Sequence, residues 1–168
     1  MHGPSSAIGG LWGVFALFGC GEPSLLACLE SDPNLSAGNR VELTVADSEI
    51  SAELATTEEQ RATAWAGRTC DLEGLLWVPD AVGPAAITLC DVQLAVDLVF
   101  VRESTVVAVE LERAPCAQAC DACPVYGATG PDVDAVLWLP AGLFEVAVGD
   151  SIVGLDAVVL PSAGDDDA

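Results

Sequence analysis

Lysine is absent from the chain, and histidine occurs once, at His2. The cations are five arginines, Arg40, Arg61, Arg68, Arg102 and Arg113, set against 26 acidic residues for a formal charge of −21. These shortages remove whole chemistries. Without lysine there is no Schiff base and no phosphate-loop lysine. A single histidine at the extreme N-terminus leaves a folded body without a histidine-activated serine or cysteine and without a histidine-ligated zinc site. Nucleic-acid binding needs clustered cations to displace counterions, so no nucleic-acid partner is expected. The acidity itself reads as solvation. Aromatics are also scarce, four Trp, four Phe and one Tyr in 168 residues. Packing must rest on small branched side chains, a composition that suits β-structure. At this length a single domain is expected, burying roughly 70% of the surface of its unfolded chain.

What is present begins with an apolar run. "AIGGLWGVFALFGCGEPS", residues 7 to 24, opens without charge and has the length of a secretory core, too short to span a bilayer comfortably. The run ends in Leu17-Phe18-Gly19-Cys20, which resembles the lipobox of bacterial lipoproteins; Leu17, Gly19 and Cys20 fit it, while Phe18 is bulkier than usual and "MHGPSS" carries no Lys or Arg. The resemblance implies cleavage before Cys20, its lipidation, and a protein held on the periplasmic or cell-surface side of a bacterial membrane. The alternatives are a conventional export signal and a buried N-terminal segment of a cytosolic protein. With Cys20 lipidated, Cys28, Cys70, Cys90, Cys116, Cys120 and Cys123 remain. An even number of that kind suits disulfides in an oxidising compartment.

Composition divides the chain into a leader (1–19), a Ser-, Asn-, Gly- and Pro-rich tether (20–40), one β-rich domain (41–160) and an acidic tail (161–168). Strands are expected in "VELTVA" (41–46), "ISAELA" (50–55), "GLLWVP" (74–79), "AAITLC" (85–90), "LAVDLVFV" (94–101), "TVVAVELE" (105–112), "AVLWLPAG" (135–142), "DSIVGL" (150–155) and "AVVL" (157–160). "LFEVAV" before Gly149 fits either a strand or one helical turn. Thr57 with Gln60 three residues on matches a capping box, Glu58 and Glu59 sit in the first turn, and Gly67 is the expected helix end. The fold class that follows is mainly β (α+β): a compact barrel-like or sandwich sheet of about seven or more short strands with one short capped helix.

Taken in order, Glu53-Leu54-Ala55 with "TTEEQ" behind it, Glu73-Gly74-Leu75-Leu76-Trp77, "VDLVFV", "APC", "CPVYG", "VLWLPAG" and "VGDSI" run from about Val41 to Val153. This series resembles the bacterial and archaeal "domain of unknown function 192" family. Where that family typically reads Phe-Trp-Met-Lys-Asn-Thr and then Ile-Pro-Leu-Asp, this chain reads Ile87-Thr88-Leu89-Cys90-Asp91-Val92 and then Leu94-Ala95-Val96-Asp97. The resemblance therefore implies a retained scaffold, with Asp97 the surviving residue of the motif and the rest of that site lost or replaced. It carries no established activity. It also implies that the cysteines of "APC" and "CPVYG" pair, joining Cys116 to Cys123. Cys120 then needs another partner, and the expected set is Cys70 with Cys90 and Cys28 with Cys120.

The Cys116, Cys120, Cys123 spacing admits other chemistry. An iron–sulfur motif of radical-enzyme type would sit early in a longer α/β barrel; a zinc site would need a fourth ligand from Cys28, Cys70 or Cys90; a redox pair at Cys120 and Cys123 would need a helix N-terminus. A structural staple is the simplest reading, and Pro124 with the nearby Gly and Asp argues for a loop. Asp97 lies inside an apolar run, where a carboxylate is costly unless bonded; it is either a structural anchor or a remnant of a ligand site beside Trp77. No carboxylate pair marks a glycosidase, "GPDVDA" (130–135) does not match a calcium loop, and the glycines do not form a phosphate loop. The function expected is a non-catalytic, exported, lipid-anchored binding or accessory domain with no cofactor and no resident metal. Its partner is an envelope protein or small ligand. The alternatives are a thiol–disulfide protein using Cys120 and Cys123, and a small-molecule binder with a cleft near Asp97 and Trp77.

Overall fold

A computed structural model of the protein describes residues 40–68 and 73–161. The expected leader, all but the last residue of the tether, Cys20, Cys28, Cys70 and all but the first residue of the tail lie outside the described residues. Alternation builds the first hairpin. In β1 (Arg40–Val45) and β2 (Ser48–Ala55), Val41, Leu43, Val45, Ile50 and Ala52 are buried on one face. Between the strands Ala46 and Asp47 both adopt positive φ (47° and 65°), the two-residue turn that matches strand twist.

The next element, α1 (Glu58–Thr63), has the full capping box: Gln60 N–H donates to the Thr57 hydroxyl at 3.2 Å and Thr57 N–H donates to the Gln60 side chain at 3.1 Å. It ends before Ala64, not at Gly67 as expected. Ala64 leaves helical geometry at φ 33°, and Ala64 and Trp65 are carried into the core, a burial that outweighs another helical turn. Gly67 instead donates its N–H to the Asp91 carbonyl at 2.9 Å.

The remaining strands are β3 (Gly74–Trp77), β4 (Ile87–Thr88), β5 (Val96–Arg102), β6 (Thr105–Arg113), β7 (Val125–Tyr126), β8 (Ala135–Pro140) and β9 (Ile152–Val153). Seven of the nine described strands form one sheet in the order β6-β5-β8-β3-β2-β1-β9, with β2 and β3 parallel, and β4 pairs β7 separately. The sheet curls until its ends meet. Val106 N–H donates to the Asp150 carbonyl at 2.8 Å, Gly149 N–H to Val106 at 2.9 Å and Ile152 N–H to Ser104 at 2.8 Å, which joins the start of β6 to the segment around β9. A mainly β, barrel-like sheet with one capped helix is thus the observed architecture.

Both faces of the sheet are buried at its central strands β5 and β8. Leu43, Ile50, Leu76, Val99, Leu137 and Leu139 fill the inside, while Leu75, Leu98, Phe100, Val136 and Trp138 pack outside against Trp65, Leu89 and β4. That explains why β5 and β8 read as continuous apolar runs rather than alternating ones. Among the expected strands, "AAITLC" shrinks to two residues. "AVVL" is not a strand either; a 3-10 turn (Leu155–Ala157) buries Leu155 and leaves Val159 92% exposed. "LFEVAV" is neither strand nor helix.

Gly127 shows how tightly the outer layer fits. At φ +77°, a Cβ there would strike the Ala85 carbonyl and the Phe100 ring. Gly127→Ala is expected to destabilise the domain by about 2 kcal/mol in urea melts. A midpoint unchanged from wild type would mean that this contact gives way freely.

Candidate functional site

Asp97 stands on the inner face of β5, at the mouth of the barrel. Its neighbours Val96 and Leu98 pair with Arg113 and Glu110, so Leu111 and Glu112 stand opposite Asp97 alone as a β-bulge. The bulge turns Glu112 to φ 52° and leaves its N–H outside the ladder. That N–H donates to Asp97 Oδ1 at 2.6 Å, and the Gly142 N–H, from the turn after β8, donates to Oδ2 at 2.9 Å. Asp97 is 2% exposed. Both oxygens therefore accept from backbone donors, which ties the bulge to the turn after β8 and offsets the cost of a carboxylate in an apolar strand.

Above Asp97 opens a cleft of about 840 Å³. Leu111 and Phe144 supply apolar wall, and Asp47, Glu112, Glu145 and Asp150 supply carboxylates; no arginine is among the described lining residues. Asp150 Oδ2 accepts the Ala147 N–H at 2.8 Å. Carboxylates of one sign beside apolar walls concentrate cations.

Trp77 does not share this cleft, which corrects the expectation of one site beside both residues. In β3 the side chain of Leu76 enters the barrel, so Trp77 points outward. There it lines a second cleft of about 320 Å³ with Arg61, Ile87, Thr88, Cys90 and Trp138. The segment 87–92 thus borders this outer cleft, while its Leu89 and Val92 turn into the core. Arg61 is held at the wall by donating to the carbonyls of Thr56 (2.7 Å) and Val78 (3.0 Å).

The cysteine loop lies against the same region. Cys116 bonds Cys123, with Cα atoms 5.7 Å apart, the pairing that the family resemblance implied. By loop-closure entropy a bridge of this span contributes about 2.5 kcal/mol. Cys90 bonds Cys120, with Cα atoms 5.1 Å apart, which corrects the expected Cys70–Cys90 and Cys28–Cys120 pairs. The cause is local docking: Cys116 N–H donates to the Leu89 carbonyl at 3.3 Å, which lays the loop beside Cys90 and brings Cys120 to it. Cys120 and Cys123 consequently belong to different bridges, and the redox-pair alternative that joined them is corrected too.

Sequence reasoning missed one buried charge pair. Glu53 and Arg68, 2% and 4% exposed, meet at 2.8 Å, with Arg40 3.6 Å from the other Glu53 oxygen. The available signal was the one that singled out Asp97: a carboxylate between apolar strand neighbours, here Ala52 and Leu54. Asp134, also buried, accepts the Glu103 N–H at 2.7 Å and fixes the β5–β6 turn.

Residues 41–154 match the model of the family DUF192, described as "Uncharacterized ACR". No protein of curated function matches the chain. Among solved structures, the chain is similar to a protein of Sinorhizobium meliloti 1021 provisionally described as a transcription regulator, at 23% identity and TM-score 0.56 over 68% of this chain and 92% of that one. It is also similar to a protein of unknown function from Novosphingobium aromaticivorans DSM 12444, at 23% identity and TM-score 0.56 over 70% and 87%. At this identity the likeness is one of fold.

Proposed function

The chain belongs to the DUF192 family, and from that premise we propose that it is a non-catalytic, exported, lipid-anchored binding domain whose ligand enters the mouth of the barrel. The observation that carries this reading is the cleft above Asp97: it is open and of ligand size, yet the carboxylate at its base is engaged by Glu112 and Gly142 rather than offered to a substrate. The ligand that fits is amphipathic and cationic. An ammonium or guanidinium group would meet Asp47, Glu112 and Glu145, and an apolar portion would lie against Leu111 and Phe144. A nucleic acid does not fit a chain of charge −21, so the regulatory description of the Sinorhizobium protein is not carried over. Two bridges, Cys90–Cys120 and Cys116–Cys123, support an oxidising compartment, and Cys20 supplies the anchor.

Calorimetry with an amphipathic Lys/Leu peptide tests the ligand class. Binding is expected to weaken with added salt and to fall roughly fivefold in Asp47→Asn/Glu145→Gln, two exposed charges each contributing a fraction of a kcal/mol. Salt-independent binding, or none, would overturn it. Unreduced intact mass from native membranes tests the anchor: the chain should start at Cys20 and carry lipid, and an unprocessed Met1 would end that part of the proposal.

A further inference from the structure

We infer that reduction of the Cys90–Cys120 disulfide creates a zinc site formed by Cys90 Sγ, Asp91 Oδ2 and Cys120 Sγ. The three ligand atoms lie within 4.8 Å of one another, with Asp91 Oδ2 at 3.5 Å from Cys90 Sγ and 3.9 Å from Cys120 Sγ. Backbone contacts other than the bridge also hold these segments together. Asp91 holds a left-handed conformation, φ 56°, which aspartate tolerates better than most residues. Its carbonyl accepts both the Gly67 N–H at 2.9 Å and Gln93 Nε2 at 3.2 Å. Cys120 opens a 3-10 turn closed by the Cys123 N–H, and the Cys116 N–H docks this loop onto Leu89. The disulfide is thus one way of satisfying a pre-arranged cluster, and a metal is another.

Two thiolates and one carboxylate suit zinc; calcium and magnesium prefer oxygen ligands throughout. Asp91 and Cys120 are exposed, so the fourth tetrahedral position falls to water. The chemistry balances with a dithiol reductant as co-reactant. The dithiol gives two electrons and two protons to the S–S bond and becomes a disulfide, leaving Cys90 and Cys120 as thiols. Zinc then displaces one proton from each as the two Zn–S bonds form. The site is closed in the oxidised protein and opens on reduction, whatever occupies the barrel mouth.

The test compares the full-length protein in its disulfide form with the same protein after dithiothreitol treatment and removal of the reductant under anaerobic conditions, in zinc competition against a chromogenic chelator. One zinc per chain is expected for the reduced protein and none for the oxidised one. Asp91→Ala should weaken binding by at least about tenfold, the loss typical of even an outer-shell partner. In the wild-type reduced chain, zinc should shield Cys90 and Cys120 from alkylation, read by peptide mass, which keeps the test independent of any variant's folding. Equal zinc uptake by both forms, shielding at other cysteines, or full affinity in a folded Asp91→Ala protein would overturn the assignment.

Discussion

Glu53→Ala is expected to destabilise the domain by about 4 kcal/mol, because it removes the carboxylate that faces the buried Arg68 guanidinium. Glu53 lies on the outer face of β2, opposite Arg40 and beside Leu75, and receives Arg68 from the segment after α1. Both side chains of the Glu53–Arg68 pair are almost completely covered. Arg40, a quarter exposed and 3.6 Å from the other Glu53 oxygen, loses the same carboxylate but can turn to water. The informative comparison is the double variant Glu53→Leu/Arg68→Leu. Apolar replacement of a whole buried pair is often close to neutral, so the double variant should be more stable than either single one in urea melts. Additive losses would mean that the two residues act separately, and a Glu53→Ala protein as stable as wild type would remove the pair from the account of the fold.

Asp97→Ala is expected to cost about as much, roughly 4 kcal/mol, by a different route. Two hydrogen bonds to a charged acceptor are lost, each worth about 1.5–3 kcal/mol, and the amides of Glu112 and Gly142 are left without their partner. Asp97→Asn keeps the shape but can offer only one oxygen to two donors, so an intermediate loss should follow. The effect should also be localised. Hydrogen exchange at the Glu112 and Gly142 amides should rise more than in the centre of β5, because the bulge and the turn after β8 lose the group that ties them together. A melting temperature unchanged in Asp97→Ala would show that bulge and turn hold without it, and would return Asp97 to the ligand.

How far the site was legible can be followed through particular residues. Asp97 stood out because a carboxylate inside "LAVDLVFV" contradicts its neighbours, and the same test applied to "SAELA" would have found Glu53. It would not have found Arg68, since nothing within a few residues of an arginine announces a partner 15 positions away. Trp77 and Asp97, expected beside one cleft, line two. Strand parity sends one into the barrel and the other out of it, and parity is known only when the buried faces are known.

The sequence by itself determined the local elements: the β1–β2 hairpin from its alternation, α1 from the Thr57–Gln60 box, and the mainly β class from short Val-rich runs. It also determined the exclusions that follow from absent lysine and a lone histidine. Those properties depend on residue chemistry and on neighbours a few positions apart. Tertiary structure alone decided that β9 meets β6 to close the sheet, that Cys120 reaches Cys90, and that Glu53 meets Arg68. Closure rests on backbone groups that every residue carries, and the two pairings rest on which distant segments are packed together. Neither leaves a mark that can be read along the chain.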